Sequence, residues 1–456
     1  MVTFDAVLPT LVGLVEESPI ANAIGKVCVV RDLEGRVRLA IKEDVGQATF
    51  EVDTLEGDLG KRLARWFEPP ILLASDKGER GRLANAIFAH KECLLWDEAK
   101  YIQSGSLLSV DAQPGRWWKM ERRVSKADWL KAEHAAPPWP LSENAPKIVA
   151  FYSFKGGVGR TTLLASCAWQ LARGGKRVVV IDLDVEAPGL GATFEVSTQR
   201  GLVDFIVDFI GTGHVDLGGL VAAPLALGAE ADKVEVIPAG ALDWDYFEKL
   251  ARLDFVGSGL IGEASRSPVE KALNILLKAL AGRKSPPEYI LLDSRAGLHD
   301  MAGLSLHGLA HVDVLVSRAS EQAYRGLDLT LHALGRRKSP DELLCVTIHA
   351  MAPPDPESKE AKEEQAEFRE RSYAAFSTHI YSKIEAQGPE EEAPQLADDD
   401  SPHSPAILRR HVLLERFAQL KSAEEALFGE SYREALARIV ALCEPEREDA
   451  AGEDAP

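Results

Sequence analysis

The stretch Lys147–Ala165, KIVAFYSFKGGVGRTTLLA, decides the fold of this 456-residue chain. KIVAFYSF is an apolar and aromatic run without polar alternation, as a strand buried on both faces requires. Gly156, Gly157, Val158 and Gly159 follow, and the helix-like LLASCAWQLARGG comes after them. A strand that delivers a glycine-rich turn to a helix N-terminus makes a cradle for an anion. The backbone N–H groups face outward, and glycine lets the chain curl round phosphate oxygens without side-chain obstruction. Thr161 is placed to offer its hydroxyl to Mg²⁺, and Thr162 to reach the innermost phosphate. The spelling is unusual in two respects. Arg160 stands directly after the last glycine, where a phosphate loop normally has lysine, and Lys155 precedes the glycines.

Working outward, the same texture repeats. RVVVIDLD, KVEVIPAG, YILLDSRAG, VDVLVSRA and ELLCVTIHA are short runs of the same kind, several of them separated by helical segments. This pattern predicts an α/β fold with a doubly wound, mostly parallel sheet. AILRRHVLLERFAQL and SYREALARIVALC are read as closing helices. Towards the N-terminus, KVCVVRDLEGRVRLAI reads as two strands around a turn, DLGKRLARWF as a helix, and SKADWLKAEHA as a helix capped by Ser125. The expected organisation is a smaller α+β domain over 1–132, a Pro-rich linker over 133–146 and the α/β domain over 147–443. The charged, Pro-interrupted segment 353–405 reads as a mobile insertion, and 444–456 as a disordered acidic tail.

The loop KGGVGRTT resembles the deviant phosphate loop of the ParA/MinD-type ATPases, a SIMIBI-type branch of the P-loop NTPases, whose pattern is Lys-Gly-Gly-x-Gly-Lys-Thr/Ser. In that family the early lysine, matching Lys155, reaches across a dimer interface to the nucleotide of the other subunit. Arg160 departs from the pattern; it keeps the charge and adds a planar fork able to bridge two phosphate oxygens. With VIPAGALDWDYFEKLARLDF and LLDSRAG, the spelling with arginine resembles the KGGVGR-motif variant ATPases, which implies a place in bacterial conflict or antiviral defence systems.

By the same resemblance Asp184, in VVVIDLDVEAPGL, orients or activates the attacking water, while Asp182 supports the magnesium shell. A pair of strand-end carboxylates capping the next turn is the structural alternative. Asp293 follows four apolar residues, the pattern that puts a carboxylate beside Mg²⁺ through a bound water, and Gly297 permits close backbone approach to the γ-phosphate. Arg295, where the family often has Pro, is either a nucleotide-sensing cation or a surface salt-bridge partner. No Asn/Thr-Lys-x-Asp follows the loop, so ATP is favoured over GTP; no adenine-contacting residue can be read.

Composition limits the partners. With 52 basic and 71 acidic residues the net charge is −19, which speaks against sequence-independent nucleic-acid binding. Five scattered cysteines make neither a zinc pattern nor a disulfide framework, no apolar run approaches a membrane span, and no basic leader is present, so a cytoplasmic location is expected. Trp117 and Trp118, among Arg116, Lys119, Arg122 and Arg123, read as core tryptophans on a strand in preference to a base-stacking surface. His299, His307 and His311 lack partners at metal-ligand spacing and read as core or solvated histidines.

The resemblance implies a slow, magnesium-dependent ATPase that dimerises on ATP and is read by an unidentified protein partner, without membrane binding. The competing expectations are a nucleotide-gated interaction protein with negligible turnover and, less favoured, a DNA-partitioning ATPase. A tyrosine kinase on the same loop is disfavoured by the lack of a tyrosine-rich C-terminal tail.

Overall fold

The computed structural model describes residues 2–44, 52–96, 115–123, 125–130, 136–196, 198–253, 255, 267–339, 342–387, 392–415 and 419–444. The chain forms two compact units, Met1–Val124 and Ser125–Pro456. The acidic tail beyond Glu444 and the start of the Pro-rich linker lie outside the described residues.

The first unit contains α1 (Phe4–Glu16), β1 (Ile24–Arg31), β2 (Val37–Glu43), α2 (Asp53–Leu63), β3 (Leu72–Leu73), α3 (Glu79–Ala89), β4 (Leu94–Leu95) and β5 (Trp117–Glu121). Its sheet has the order β3-β2-β1-β5-β4. β1 and β2 form the expected antiparallel hairpin, while β5 runs parallel to β1. The hairpin turn is closed by Asp32, whose carboxylate accepts from the Glu34 and Arg36 amides at 2.9 and 2.8 Å; Gly35 supplies the positive φ of 87°. Trp117 is buried and donates its indole N–H to Glu16 at 2.8 Å, so it is a core residue as expected.

The second unit opens with α4 (Ala127–Leu130) and continues through β6 (Lys147–Tyr152), α5 (Arg160–Arg173), β7 (Val178–Asp182), α6 (Leu190–Thr193), α7 (Leu202–Thr212), β8 (Val234–Ile237), α8 (Trp244–Leu250) and α9 (Pro268–Ala281). It goes on through β9 (Tyr289–Asp293), α10 (Asp300–Leu304), β10 (Val312–Ser317), α11 (Glu321–Arg337), β11 (Cys345–Ala352), α12 (Lys359–Phe376) and α13 (Ser382–Gln387). The last elements are β12 (Ala406–Arg409), α14 (Val412–Glu415), α15 (Glu424–Leu427) and α16 (Glu430–Cys443).

The seven strands have the order β12-β11-β10-β6-β9-β7-β8, and every named pair is parallel. Every residue of β6, β7, β9 and β10 is buried, as their largely apolar runs predict; Asp313 within β10 is paired with Lys338 at 2.9 Å. Alternation along β6 divides the two layers. Ile148, Ala150 and Tyr152 face a core with α7, α9, α10 and α11, whereas Val149 and Phe151 face one with α5 and α16.

Three expectations are corrected. Ala406–Arg409, read as the start of a helix, is the edge strand β12 paired with β11. An apolar run this short carries no period that separates strand from helix. The charged segment 353–405 is not simply mobile: it holds the 18-residue α12, which buries Phe368 and Phe376. The second unit also begins at Ser125 and not at 147. Trp129 of α4 packs into the second unit's core against Tyr152 and His307, and its indole donates to His299 O at 2.7 Å. Trp139 follows the same side of the chain, with its carbonyl bonded to His311 Nε2 at 2.8 Å. His307 and His311 are thus core histidines.

The Trp129 ring packs directly on Gly303, where even a Cβ would lie 2.8 Å from it, so truncating the tryptophan leaves a void in the core. Trp129→Ala is expected to lower the unfolding free energy by about 3–5 kcal/mol, measured by urea denaturation. A loss below about 1 kcal/mol would place the tryptophan outside the cooperative core.

Candidate functional site

The loop between β6 and α5 has the geometry that its glycines predict. Gly157 and Gly159 adopt positive φ of 72° and 86°, a conformation that L side chains rarely take. A Cβ built on Gly156, Gly157 or Gly159 meets nothing within 4 Å, so the inner wall of the loop faces open space. Val158 is buried between them and pins the loop to the core. Gly159 is the N-cap of α5 and offers no side chain to its first turn, which leaves those amides to an anion. Thr161 and Thr162 are half-buried in that turn.

Two further strand ends converge on the loop. β7 and β9 pair in register, so Asp182 lies opposite Asp293, and Phe151 at the end of β6 lies opposite Asp293 on the other side. Asp293 is 1 % exposed. Its Oδ2 accepts from the Thr161 hydroxyl at 2.7 Å, and its Oδ1 accepts from Arg160 Nε at 2.6 Å. Arg160 Nη2 then reaches Asp184 Oδ2 at 3.3 Å. Arginine's fork therefore points back among the carboxylates in this state. The expectation that it bridges phosphate oxygens requires it to leave them.

Asp182 is fully buried. Its Oδ1 accepts from the Asp184 amide at 3.1 Å, and its Oδ2 from the Gly189 and Leu190 amides at 3.1 and 3.0 Å. Desolvation, with the nearby charge of Asp293 second, pushes its carboxyl up to about 7. These bonds make Asp182 the brace of the turn that carries Asp184, which is the capping role weighed as the structural alternative. Burial also raises Asp293, opposed by the Arg160 guanidinium. Tyr246 supports the same turn by donating its hydroxyl to Val185 O at 2.7 Å.

Lys155 stands apart. It is half-buried, and among the described residues it has no hydrogen-bond or ion-pair partner. The Phe154 ring before it lies so close to Gly326 of α11 that a Cβ there would sit 2.1 Å from the ring. This contact fixes the base from which Lys155 projects. Gly297, with φ of 75°, donates its amide to Ser153 O at 3.0 Å and so lies beside the loop. Arg295 pairs with Glu186 at 2.6 Å, and His299 joins the same carboxylate at 2.9 Å. Glu186 was missed from sequence, because only the fold brings it to Arg295. His349 is buried, stacked on Phe368 and bonded to Glu364 at 3.1 Å.

The site fits a phosphate chain with a hard divalent cation. Among the described residues no group of three or more His, Cys, Asp or Glu could hold a metal alone. Mg²⁺ needs no such cage, since it uses one or two protein oxygens together with phosphates and water, and Thr161 and Asp293 are oxygen donors of that kind.

Residues 146–207 match the AAA domain family. The virulence plasmid ParA family protein pGP5-D of Chlamydia trachomatis is 36% identical over 104 residues, which is 22% of this chain and 35% of that protein. Over this segment the chain is similar to a ParA family protein. A second relative, the tyrosine-protein kinase CpsD of Streptococcus agalactiae, is 30% identical over 108 residues, 23% of this chain and 45% of that protein. The chain thus spans less than half the length of either curated relative. The septum site-determining protein MinD of Pyrococcus horikoshii, solved with Mg-ADP, aligns with 66% of this chain and 95% of its own at 19% identity and a TM-score of 0.40. No helix among the described residues is long and apolar enough to cross a membrane.

Removing the guanidinium would strand Asp293 in a low-dielectric site. Without nucleotide, Arg160→Ala is expected to cost about 3–5 kcal/mol of stability near neutral pH. The loss should shrink as the pH falls, because the folded state of the variant takes up a proton at Asp293 that the unfolded chain does not hold. Denaturation at about pH 7 and about pH 5 measures both; a pH-independent loss would mean that packing, not charge, sets it.

Proposed function

We propose that the second unit is a magnesium-dependent ATPase whose nucleotide is completed by a second copy of the chain. The observation that carries this reading is the contrast between the two loop cations. Arg160 is engaged inside its own subunit by Asp293 and Asp184, whereas Lys155 has no partner among the described residues. A cation held at the rim of an anion site without an internal partner is suited to a negative group that arrives later.

In this reading the loop amides and the first turn of α5 bind the phosphates of ATP, with Thr162 at the innermost one. Thr161 and Asp293 hold Mg²⁺, which supplies charge neutralisation at the phosphate oxygens. Arg160 leaves Asp293 for the phosphates, so nucleotide arrival breaks an internal ion pair and binding is coupled to a local rearrangement. Asp184, braced by the Asp182-held turn, accepts a hydrogen bond from the attacking water and orients it towards the γ-phosphate. Gly297 allows its backbone close to that phosphate. Two subunits related by a two-fold axis each lend one Lys155 and receive one, so the nucleotides and the dimer form together. Hydrolysis releases the pair, and a protein partner reads the state. The first unit is the module that meets that partner.

The Arg160 ion pair favours a second reading. Its bonds to Asp293 and Asp184 hold two of the groups that turnover needs, which suits slow hydrolysis or a nucleotide-gated interaction with negligible turnover. A role in bacterial defence rests on the arginine spelling of the loop; a nuclease, protease or pore-forming protein in the flanking genes would support it, and a centromere-binding protein would favour partitioning.

Sedimentation with a slowly hydrolysed ATP analogue, beside calorimetric titration, separates the cations. Lys155→Ala should abolish nucleotide-dependent dimerisation and leave monomer affinity within a few-fold, since each charge-assisted bond lost across the interface is worth about 1.5–3 kcal/mol. Arg160→Ala should weaken binding itself. A Lys155→Ala chain that still dimerises would refute the role in trans.

Asp184→Ala tests the chemical step separately. ATP affinity should stay near that of the parent chain while phosphate release falls about a hundredfold. Equal losses in binding and turnover would make Asp184 a structural residue.

A further inference from the structure

The first unit brings together two thiols that the sequence keeps far apart. Cys28 lies on β1 and Cys93 in the turn that leads into β4, 65 residues later, yet their sulfurs are 3.2 Å apart. They sit in a small apolar cluster with Ala40, Leu72, Ala84 and Met120, under the sheet face formed by β1 and β5. A disulfide needs a sulfur separation of about 2.05 Å, so a closure of about 1.2 Å would complete it.

The two thiols are not equivalent. Both are buried, Cys28 fully and Cys93 with 5 % of its surface exposed, so Cys93 lies nearer to solvent. The sulfur–sulfur contact with Cys28 holds the Cys93 thiol below its ordinary value; burial opposes this and the charge of Lys26 supports it. The same contact, with desolvation second, pushes the Cys28 thiol up. One sulfur is thus prepared to attack and the other to wait as a protonated partner.

We infer that Cys28 and Cys93 form a reversible dithiol–disulfide site, oxidised by hydrogen peroxide with Cys93 as the attacking thiol and Cys28 as the resolving one. The Cys93 thiolate attacks one peroxide oxygen, the O–O bond breaks, and the leaving hydroxide takes a proton to become water. Cys93 is then a sulfenic acid. The Cys28 sulfur attacks the Cys93 sulfur, the S–O bond breaks, and the hydroxyl departs as a second water with the Cys28 proton. Two electrons have passed from the two sulfurs to the peroxide. The bond would tie β1 to the turn before β4 and so lock the arrangement of strands around β5. A small-molecule or protein dithiol reverses it by exchange.

The other cysteines serve as internal controls. Cys167, Cys345 and Cys443 are buried in the second unit, and desolvation pushes their thiols up. In the folded full-length chain, hydrogen peroxide should yield a Cys28–Cys93 cross-linked peptide in non-reducing peptide mapping, removed by dithiothreitol, while these three stay free. Cys28→Ser should accumulate a Cys93 sulfenic acid trapped by a 1,3-dicarbonyl probe. Cys93→Ser should leave Cys28 unmodified. If either variant fails to fold, the mapping of the unaltered chain decides alone. The proposal is overturned if that chain shows no Cys28–Cys93 peptide under peroxide, or forms it only after denaturation.

Discussion

The burial of β6, β9 and β10 on both faces is the constraint from which the rest of the second unit follows. Strands covered on both sides carry polar side chains along their length only where these are paired, as Asp313 of β10 is with Lys338 at 2.9 Å, so most polar chemistry emerges at their ends. In a parallel sheet the C-terminal ends of all strands fall on one edge, and there the loop after β6, Asp182 at the end of β7 and Asp293 at the end of β9 meet. The two helical layers, split by the alternation along β6, hold that edge rigid. Phe154 seated on Gly326 extends the same packing into the loop itself.

Placing carboxylates together at the end of buried strands creates an electrostatic problem, and the structure answers it in two ways. Asp182 is surrounded by backbone amides and pushed up to about 7. Asp293 is neutralised by Arg160 and bonded by Thr161. A buried carboxylate with no cation would be far less tolerable. The arginine after the last glycine is therefore more than a substitute for lysine: its planar fork spans Asp293 and Asp184 at once, a geometry that a single ammonium does not share.

The first unit follows different rules. Its mixed five-stranded sheet buries Trp117 on one side and the thiol pair on the other. The basic residues round its tryptophans are largely engaged: Arg116 pairs with Glu16 at 3.0 Å, and Lys26 lies over the Trp118 ring at 4.9 Å. That arrangement is one of packing and local charge balance.

The sequence by itself determined the sheet, the loop and the identity of its carboxylates, because unbroken apolar runs, glycines and strand-end aspartates are local signals that burial and backbone sterics impose on neighbouring residues. It could not separate β12 from a helix, since four residues are too short to show a period, nor assign Trp129 to its core, since an amphipathic turn does not name the surface it covers. The direction of Arg160 was equally out of reach: a flexible side chain goes where the net of desolvation and charge is lowest, and that depends on Asp293, which lies far along the chain. The same holds for Arg295 with Glu186 and for Cys28 with Cys93. Local steric and hydrophobic rules wrote the elements; long-range electrostatics and packing, which exist only once the chain has closed on itself, decided which side chains meet.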